Sequence, residues 1–261
     1  ADRTRIVIEV SDPLALRVFT LANPNRVVMD MPQVLWRLQG SPPPSSKSVV
    51  RSYRYGLFRP GNSRFVMDLN RAVSVTAPVA LAPSGGYGYR VVVDLLPTTQ
   101  TKFRLASGWP ADLKAREDAA EQKSSDTARN QAKTAGGKRI VVLDAGHGGI
   151  DNGTSSSGGM HEKDLVLDVV KRVRDELKGR GNYKVYLTRD DDTYIPLRQR
   201  VRIARSYDAD LFVSIHADSN PSASVYGASV YTLSESGSDK EAAALAAKEN
   251  QSDVIAGVDL S

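Results

Sequence analysis

The 261 residues contain only three histidines, and two of them follow apolar runs with the character of strands. His147 stands in Asp144-Ala145-Gly146-His147-Gly148-Gly149, directly after the run Arg139–Leu143. His216 stands in Ser214-Ile215-His216-Ala217-Asp218, directly after Asp210–Ile215. The third, His161, precedes Glu162, where a helical pattern opens. Strand ends and helix starts of one sheet share an edge, so these groups are expected to meet despite their distance in the chain. A catalytic zinc takes about three His or carboxylate ligands and keeps one position open. His147, Glu162 and His216 supply that set, and the glycines around His147 let backbone come close. Zinc there would bring the pKa of a water toward neutrality, the chemistry of a hydrolase. Other readings stand beside this one. His161 in place of Glu162 gives a three-histidine site, and the Gly-His-Gly-Gly loop reads as an anion cradle. Each histidine alone reads as an ordinary polar side chain, and Glu162 alone as a complement to a helix dipole. Concurrence at one edge favours the metal.

The elements that must position these residues lie within 138–261. Helical spacing of Leu165, Val166, Val169, Val173 and Leu177 predicts a helix over Glu162–Lys178. Strands are expected at Arg139–Leu143, Tyr183–Thr188, Asp210–Ile215 (a buried one) and Gly227–Leu233, and helices at Pro196–Tyr207 and Ser238–Asn250. Strands alternating with helices predict an α/β sheet flanked by helices.

Residues 1–108 differ in kind. A period-two run at Arg5–Val10 and β-rich runs at Arg17–Leu21, Arg26–Met31, Ser48–Arg54, Arg64–Leu69, Ala72–Val79 and Tyr89–Leu95, punctuated by Pro/Gly/Asn turns, predict an all-β sandwich. Arg26-Val27-Val28-Met29-Asp30, Arg64-Phe65-Val66-Met67-Asp68 and Arg90-Val91-Val92-Val93-Asp94 echo one another as Arg-x-Val-x-Asp. Alternation sets Arg, the middle Val and Asp on one face. That face reads either as cross-strand ion pairs facing solvent or as a polymer-binding surface. Between the two domains, residues 109–137 are too poor in aliphatic residues to form a core and read as a linker, helical near Ala111–Gln122.

Charge is divided unevenly. Residues 1–109 hold 14 Lys and Arg against 6 Asp and Glu, whereas residues 138–261 hold 16 against 19, so an anionic partner is expected for the first domain. Nucleic acid fits poorly, because the basic residues are spread over strands without a recognition motif. No apolar run approaches the roughly 18–20 residues of a membrane span, and with no cysteine there is neither disulfide nor thiolate ligand.

Val142-Leu143-Asp144-Ala145-Gly146-His147-Gly148-Gly149, Glu162-Lys163-Asp164, Arg198 and Arg200, and Ser214-Ile215-His216-Ala217-Asp218 together resemble the N-acetylmuramoyl-L-alanine amidase 3 family, from about residue 138 onward. The resemblance implies zinc held by His147, Glu162 and His216, and hydrolysis of the amide joining N-acetylmuramic acid to L-alanine in peptidoglycan. Residues 1–108, with Asn23-Pro24-Asn25-Arg26 and the Arg-x-Val-x-Asp echoes, are similar to the AMIN domain that attaches such amidases to the wall. Amidases of the family carry a catalytic glutamate in a C-terminal Glu-Leu-Gly-Phe-like motif. That motif is missing from this sequence, so no catalytic residue is assigned and the amidase domain over 138–261 is expected to lack its C-terminal part. In cell-division members a regulatory helix sets a glutamate on the zinc. Here that role falls to Glu249 as an inhibitory fourth ligand, with Glu241 the alternative and a solvated face the plain reading. Ser238-Asp239-Lys240-Glu241 reads as a capping box, which gives Glu241 a structural task. The resemblance further implies an activator protein of the LytM type, service in daughter-cell separation, and a periplasmic location with a signal peptide already removed. Of Arg198, Arg200, Arg202 and Arg205, Arg198 is the candidate to reach substrate, and the others read as a solvated face. The competing functions are a peptidoglycan-binding protein without activity and a zinc peptidase of the stem peptide.

Overall fold

The computed structural model describes every residue except 1–2, 39–43, 45–47, 117–118, 120–121, 123–136, 220–225, 233–239 and 259–261. It divides into two compact units, Ala1–Glu117 with Ala256–Ser261, and Asp118–Ile255.

Among the described residues the first unit has eight strands. β1 (Thr4–Val10) pairs antiparallel with β8 (Tyr89–Pro97), which also pairs with β6 (Val73–Val75) and β7 (Val79–Leu81). The second sheet runs β2 (Arg17–Leu21), β3 (Arg26–Pro32), β5 (Asn62–Leu69), β4 (Val50–Arg59), all antiparallel. Alternation along the strands sends Ile6, Ile8, Val93 and Leu95 from one sheet and Val27, Met29, Phe65 and Met67 from the other into one core. The expected strand at Ala72–Val79 is split into β6 and β7 just before Pro78–Val79, because proline brings no N–H to a ladder. The strand expected at Ser48–Arg54 instead runs on to Arg59 and turns at Gly61, whose φ of 80° belongs to glycine.

Within this unit a short helix, α1 (Gln100–Ala106), escaped the all-β reading. Thr99 caps it by accepting from the Lys102 amide, and Phe103 plugs the core at 1% exposure. Seven residues are too few for a helical period to show. In the linker stretch, residues 111–116, 119 and 122 are helical.

The Arg-x-Val-x-Asp echo is a pairing code. Antiparallel register sets Arg26 opposite Asp68 and Asp30 opposite Arg64. Arg64 grips Asp30 with two bonds of 2.6 and 2.7 Å and stacks 3.5 Å above the Phe58 ring. Arg64 and Asp30 form a cross-strand ion pair, but both faces of β3 and β5 are buried, so it does not face solvent as expected, and Asp68 pairs with Arg54 of β4 at 2.7 Å. On β8 the pattern does stay at the surface, where Arg5 grips Asp94 at 2.7 Å.

The second unit is a parallel three-stranded sheet, β10-β9-β11. β9 (Arg139–Ala145) is central, with β10 (Tyr183–Leu187) and β11 (Leu211–Ile215) on either side. Crossover helices α2 (Glu162–Gly179) and α3 (Leu197–Ser206) join β9 to β10 and β10 to β11. α2 lays Val166 and Val170 on Val141, Leu143 and Val185. Helices α4 (Lys240–Glu249) and α5 (Ser252–Ile255) follow. Two expectations are corrected here. β11 is not a buried strand, since it stands at the sheet edge with Leu211 54% exposed. Residues 227–232 form no strand: Val230 and Tyr231 are exposed, and their alternation finds no ladder partner among the described residues. Leu233 and the Ser238-Asp239 half of the expected capping box lie outside the described residues.

Candidate metal centre

β9 and β11 end together. Their register pairs Ala145 with Ile215, and the Gly146 amide donates to the Ile215 carbonyl at 3.1 Å. The residues that follow, His147 and His216, therefore meet, with ring centroids 4.9 Å apart. Gly146 makes room for this approach, since a Cβ there would overlap the His216 ring.

His147 itself has a φ of 59°, a left-handed conformation that costs a non-glycine residue about 1–2 kcal/mol. Buried arginines hold the loop there. Arg200 donates to the carbonyls of Ile195, Ala145 and His147 and to Asp144. Arg189 donates to the carbonyls of Ala145, Gly146 and Lys163. Asp144 closes the brace by also accepting from Thr188 and Ser214. Burial pushes the Asp144 carboxyl up, but Arg200, Ser214 and Thr188 outweigh it and hold it below the usual range. Arg200 is thus no part of a solvated face, because its side chain is 4% exposed. Arg198, two residues earlier in α3, is exposed and does not line the site.

Glu162, the first residue of α2, points its carboxylate at the same edge. Its Oε1 accepts from the Ala217 amide at 2.8 Å and its Oε2 from the Thr154 amide at 2.9 Å. Gly153 gives way to it, as a Cβ at its φ of 62° would strike both Glu162 and His147. His161 stands at the N-cap position of α2 without capping it through its side chain, and its Nδ1 lies 2.8 Å from the Ser155 hydroxyl instead.

From the last turn of α4, Glu249 enters. His147, His216 and Glu249 offer ligand atoms within 4.8 Å of one another. With Glu162 included, four atoms converge. His147 Nε2 lies 3.1 Å from Glu162 Oε1, 3.2 Å from His216 Nδ1 and 3.3 Å from Glu249 Oε2. His216 Nδ1 lies 3.2 Å from Glu162 Oε1 and 3.0 Å from Glu249 Oε2. A tetrahedron of ligands about 2.0–2.1 Å from one ion has edges of about 3.3 Å. These five separations are close to such an edge, whereas the sixth, Glu162 to Glu249, is wider, since Glu162 falls outside the set whose ligand atoms all lie within 4.8 Å of one another. Both Glu249 oxygens are buried without a well-formed hydrogen bond, although Oε2 is close to two imidazole nitrogens. Groups that share a central partner are arranged in this way, and the two-imidazole, two-carboxylate donor set fits zinc.

Asp151 orients His147. Its Oδ2 lies 2.9 Å from Nδ1 and accepts from Ser252 Oγ at 2.5 Å, while Oδ1 accepts from the Gly153 amide at 3.1 Å. A proton on Nδ1 leaves the Nε2 lone pair facing the centre. Without an ion these groups charge one another. Burial opposes protonation of His147, but bonds to Asp151, Glu162 and Glu249 raise it to about 11. His216 is raised to about 9 by Glu162 and Glu249 against the same burial. Glu162 and Glu249 are driven far below the carboxylate range by the two imidazoles, which overcome burial. The remaining cavity, bounded by His147, His216, Arg200, Glu249 and Ser252, has about 30 Å³, space for a water and not for a sugar or peptide. Asp151, Arg189 and Ser252 carried no signal in the sequence, since each acts through burial or long-range contact, and Arg200 entered only as part of the family pattern and not as a brace of the loop.

Known proteins resemble both parts of the chain. Residues 141–257 match the N-acetylmuramoyl-L-alanine amidase family model Amidase_3, and residues 1–95 match the AMIN domain. The chain is 36% identical over 99% of its length to N-acetylmuramoyl-L-alanine amidase AmiC of Escherichia coli O6:H1, and 35% identical over 99% to AmiC of Neisseria meningitidis serogroup B. It spans 63% and 64% of those two relatives. A 135-residue stretch is 47% identical to AmiA of Escherichia coli K12, covering 51% of this chain and 46% of that one. Residues 141–257 are therefore similar to the N-acetylmuramoyl-L-alanine amidase family, and residues 1–95, which precede them, to the AMIN domain.

Proposed function

We propose that the second unit hydrolyses the amide between N-acetylmuramic acid and L-alanine in peptidoglycan, that it uses zinc, and that α4 holds the site shut. The convergence of His147, Glu162, His216 and Glu249 at separations of 3.0–3.3 Å carries this reading. Zinc held there supplies a Lewis acid for the scissile carbonyl and lowers the pKa of water to near neutrality. With zinc bound, His147 and His216 would turn unprotonated ring nitrogens to the centre, the first oriented by Asp151. Glu162 is fixed by two backbone amides and does not swing away. Glu249 completes a four-ligand set and fills the position that a hydrolytic site must leave open to water. Release of α4 is the step that an activator protein, of the LytM type in this reading, would drive. The AMIN-like first unit, with its excess of basic residues, would attach the enzyme to wall carboxylates, in a periplasmic role at daughter-cell separation. Among the described residues no helix is long and apolar enough to cross a membrane.

Glu249→Ala, placed in the full-length protein, tests the reading. Digestion of purified wall without activator should rise by about tenfold or more, because the blocking carboxylate is gone. Mass analysis of the products should show peptides beginning with a free alanine amine. Products cut within the stem peptide would favour a peptidase, and unchanged basal digestion would end the blocking role of Glu249.

A further inference from the structure

Hydrolysis of an amide forms a C–O bond to the oxygen of water and breaks the C–N bond. The nitrogen takes up protons, so a carboxylate and an ammonium are left side by side. The last turn of α4 places one of each at the centre. Glu249 sets its carboxylate among the imidazoles, and the preceding residue, Lys248, lays its ammonium beside it with Nζ 3.5 Å from Glu249 Oε1. Reacting atoms sit about 3–3.5 Å apart in a productive complex, so this is the spacing of a freshly cleaved pair. The Lys248 ammonium has its own seat, donating to Asp218 Oδ1 at 2.6 Å and to Thr154 Oγ1 at 3.1 Å.

We propose that Thr154 and Asp218 form the subsite for the amine released in the amidase reaction, and that Lys248 and Glu249 close the site by imitating its two products. This rests on the amidase reading above. The seat is part of the ligand frame, not of α4. Thr154 and Ala217 donate their backbone amides to the two oxygens of Glu162, and Asp218 directly follows Ala217. An ammonium held between Thr154 and Asp218 therefore keeps a fixed distance from the centre whatever occupies it. A casual surface ion pair has no such register. Asp218 remains 30% exposed in its side chain beside Lys248, which leaves the seat accessible once α4 withdraws. The acidic seat also accounts for which side of the bond is which. The amine side of the substrate, L-alanine and the peptide beyond it, lies toward Asp218, and the glycan side lies away from it.

The test is calorimetric titration of the full chain carrying Lys248→Ala and Glu249→Ala together. The probes are L-alanyl-D-isoglutamine, whose only amine is its N-terminus, and the same dipeptide N-acetylated. The free amine should bind about tenfold or more tightly than the acetylated form, the worth of one charge-assisted hydrogen bond. Adding Asp218→Asn should erase that preference, and Asp218→Glu should restore part of it. Equal binding of the two peptides, binding of neither, or a preference that survives Asp218→Asn would overturn the proposal. Zinc content of the same preparations separates the two readings. A zinc-bearing chain without amine preference loses the subsite and keeps the metal centre. A zinc-free chain that still prefers the amine keeps the subsite and loses the metal centre.

Discussion

Replacing Asp151 by asparagine changes one atom and should cost the site most of its hold on zinc. Three donors converge on the two Asp151 oxygens: His147 Nδ1 at 2.9 Å, Ser252 Oγ at 2.5 Å and the Gly153 amide at 3.1 Å. Asparagine offers a single acceptor oxygen. If that oxygen turns to Gly153, the new NH₂ faces His147 and drives the imidazole proton from Nδ1 to Nε2, the atom that points at the centre. If it turns to His147, the NH₂ meets the Gly153 N–H, and a buried donor is left without a partner. Either outcome costs about 1.5–3 kcal/mol, hence about 10- to 100-fold in metal affinity, the usual range for a partner that orients a ligating histidine. Competition for zinc against a chromophoric chelator measures the effect directly. Thermal unfolding of the metal-free variant checks that the unit still folds. Affinity within about twofold of the parent, in a folded variant, would refute the orienting role and with it the assignment of Nε2 as the ligand atom.

Three further outcomes follow from the same contacts. Gly153→Ala should abolish zinc uptake while leaving the far-ultraviolet circular dichroism intact, because its Cβ would collide with His147 and Glu162 at a positive φ. Arg200→Met should lower the denaturant midpoint by a destabilisation of about 3–5 kcal/mol, since Asp144 would be left as an uncompensated buried charge. In the first unit burial raises the Asp68 carboxyl, but Arg54 and Ser52 pull it below its ordinary value. A depressed carboxyl stabilises the fold fully above the ordinary pKa of about 4 and loses that contribution as pH falls through the folded value. Asp68→Asn should therefore flatten the acid limb of a stability-against-pH curve below about pH 4, with unfolding followed by fluorescence.

Much of this was legible because period and punctuation are local properties. The strands of the first unit and helix α2 follow from alternation and from the spacing of Val166, Val169 and Val173. The meeting of His147, Glu162 and His216 follows from strand ends sharing an edge. What stayed hidden depends on tertiary context. Arg200 looks like any helix-surface arginine until the loop after β9 wraps its guanidinium, and Asp151 looks like a turn residue until Ser252 arrives, 101 positions later. The Arg-x-Val-x-Asp strands announced their ion pairs, but not that both faces of β3 and β5 would be covered. The run at 227–232 shows the opposite failure, since its alternation met no neighbour.

The centre is tested most directly by a crystal of the zinc-loaded chain, measured on both sides of the zinc absorption edge. A single anomalous peak about 2.0–2.2 Å from His147 Nε2, Glu162, His216 Nδ1 and Glu249 is the expected result. A zinc-loaded crystal with no peak among those side chains, or with the peak elsewhere in the unit, would contradict the account.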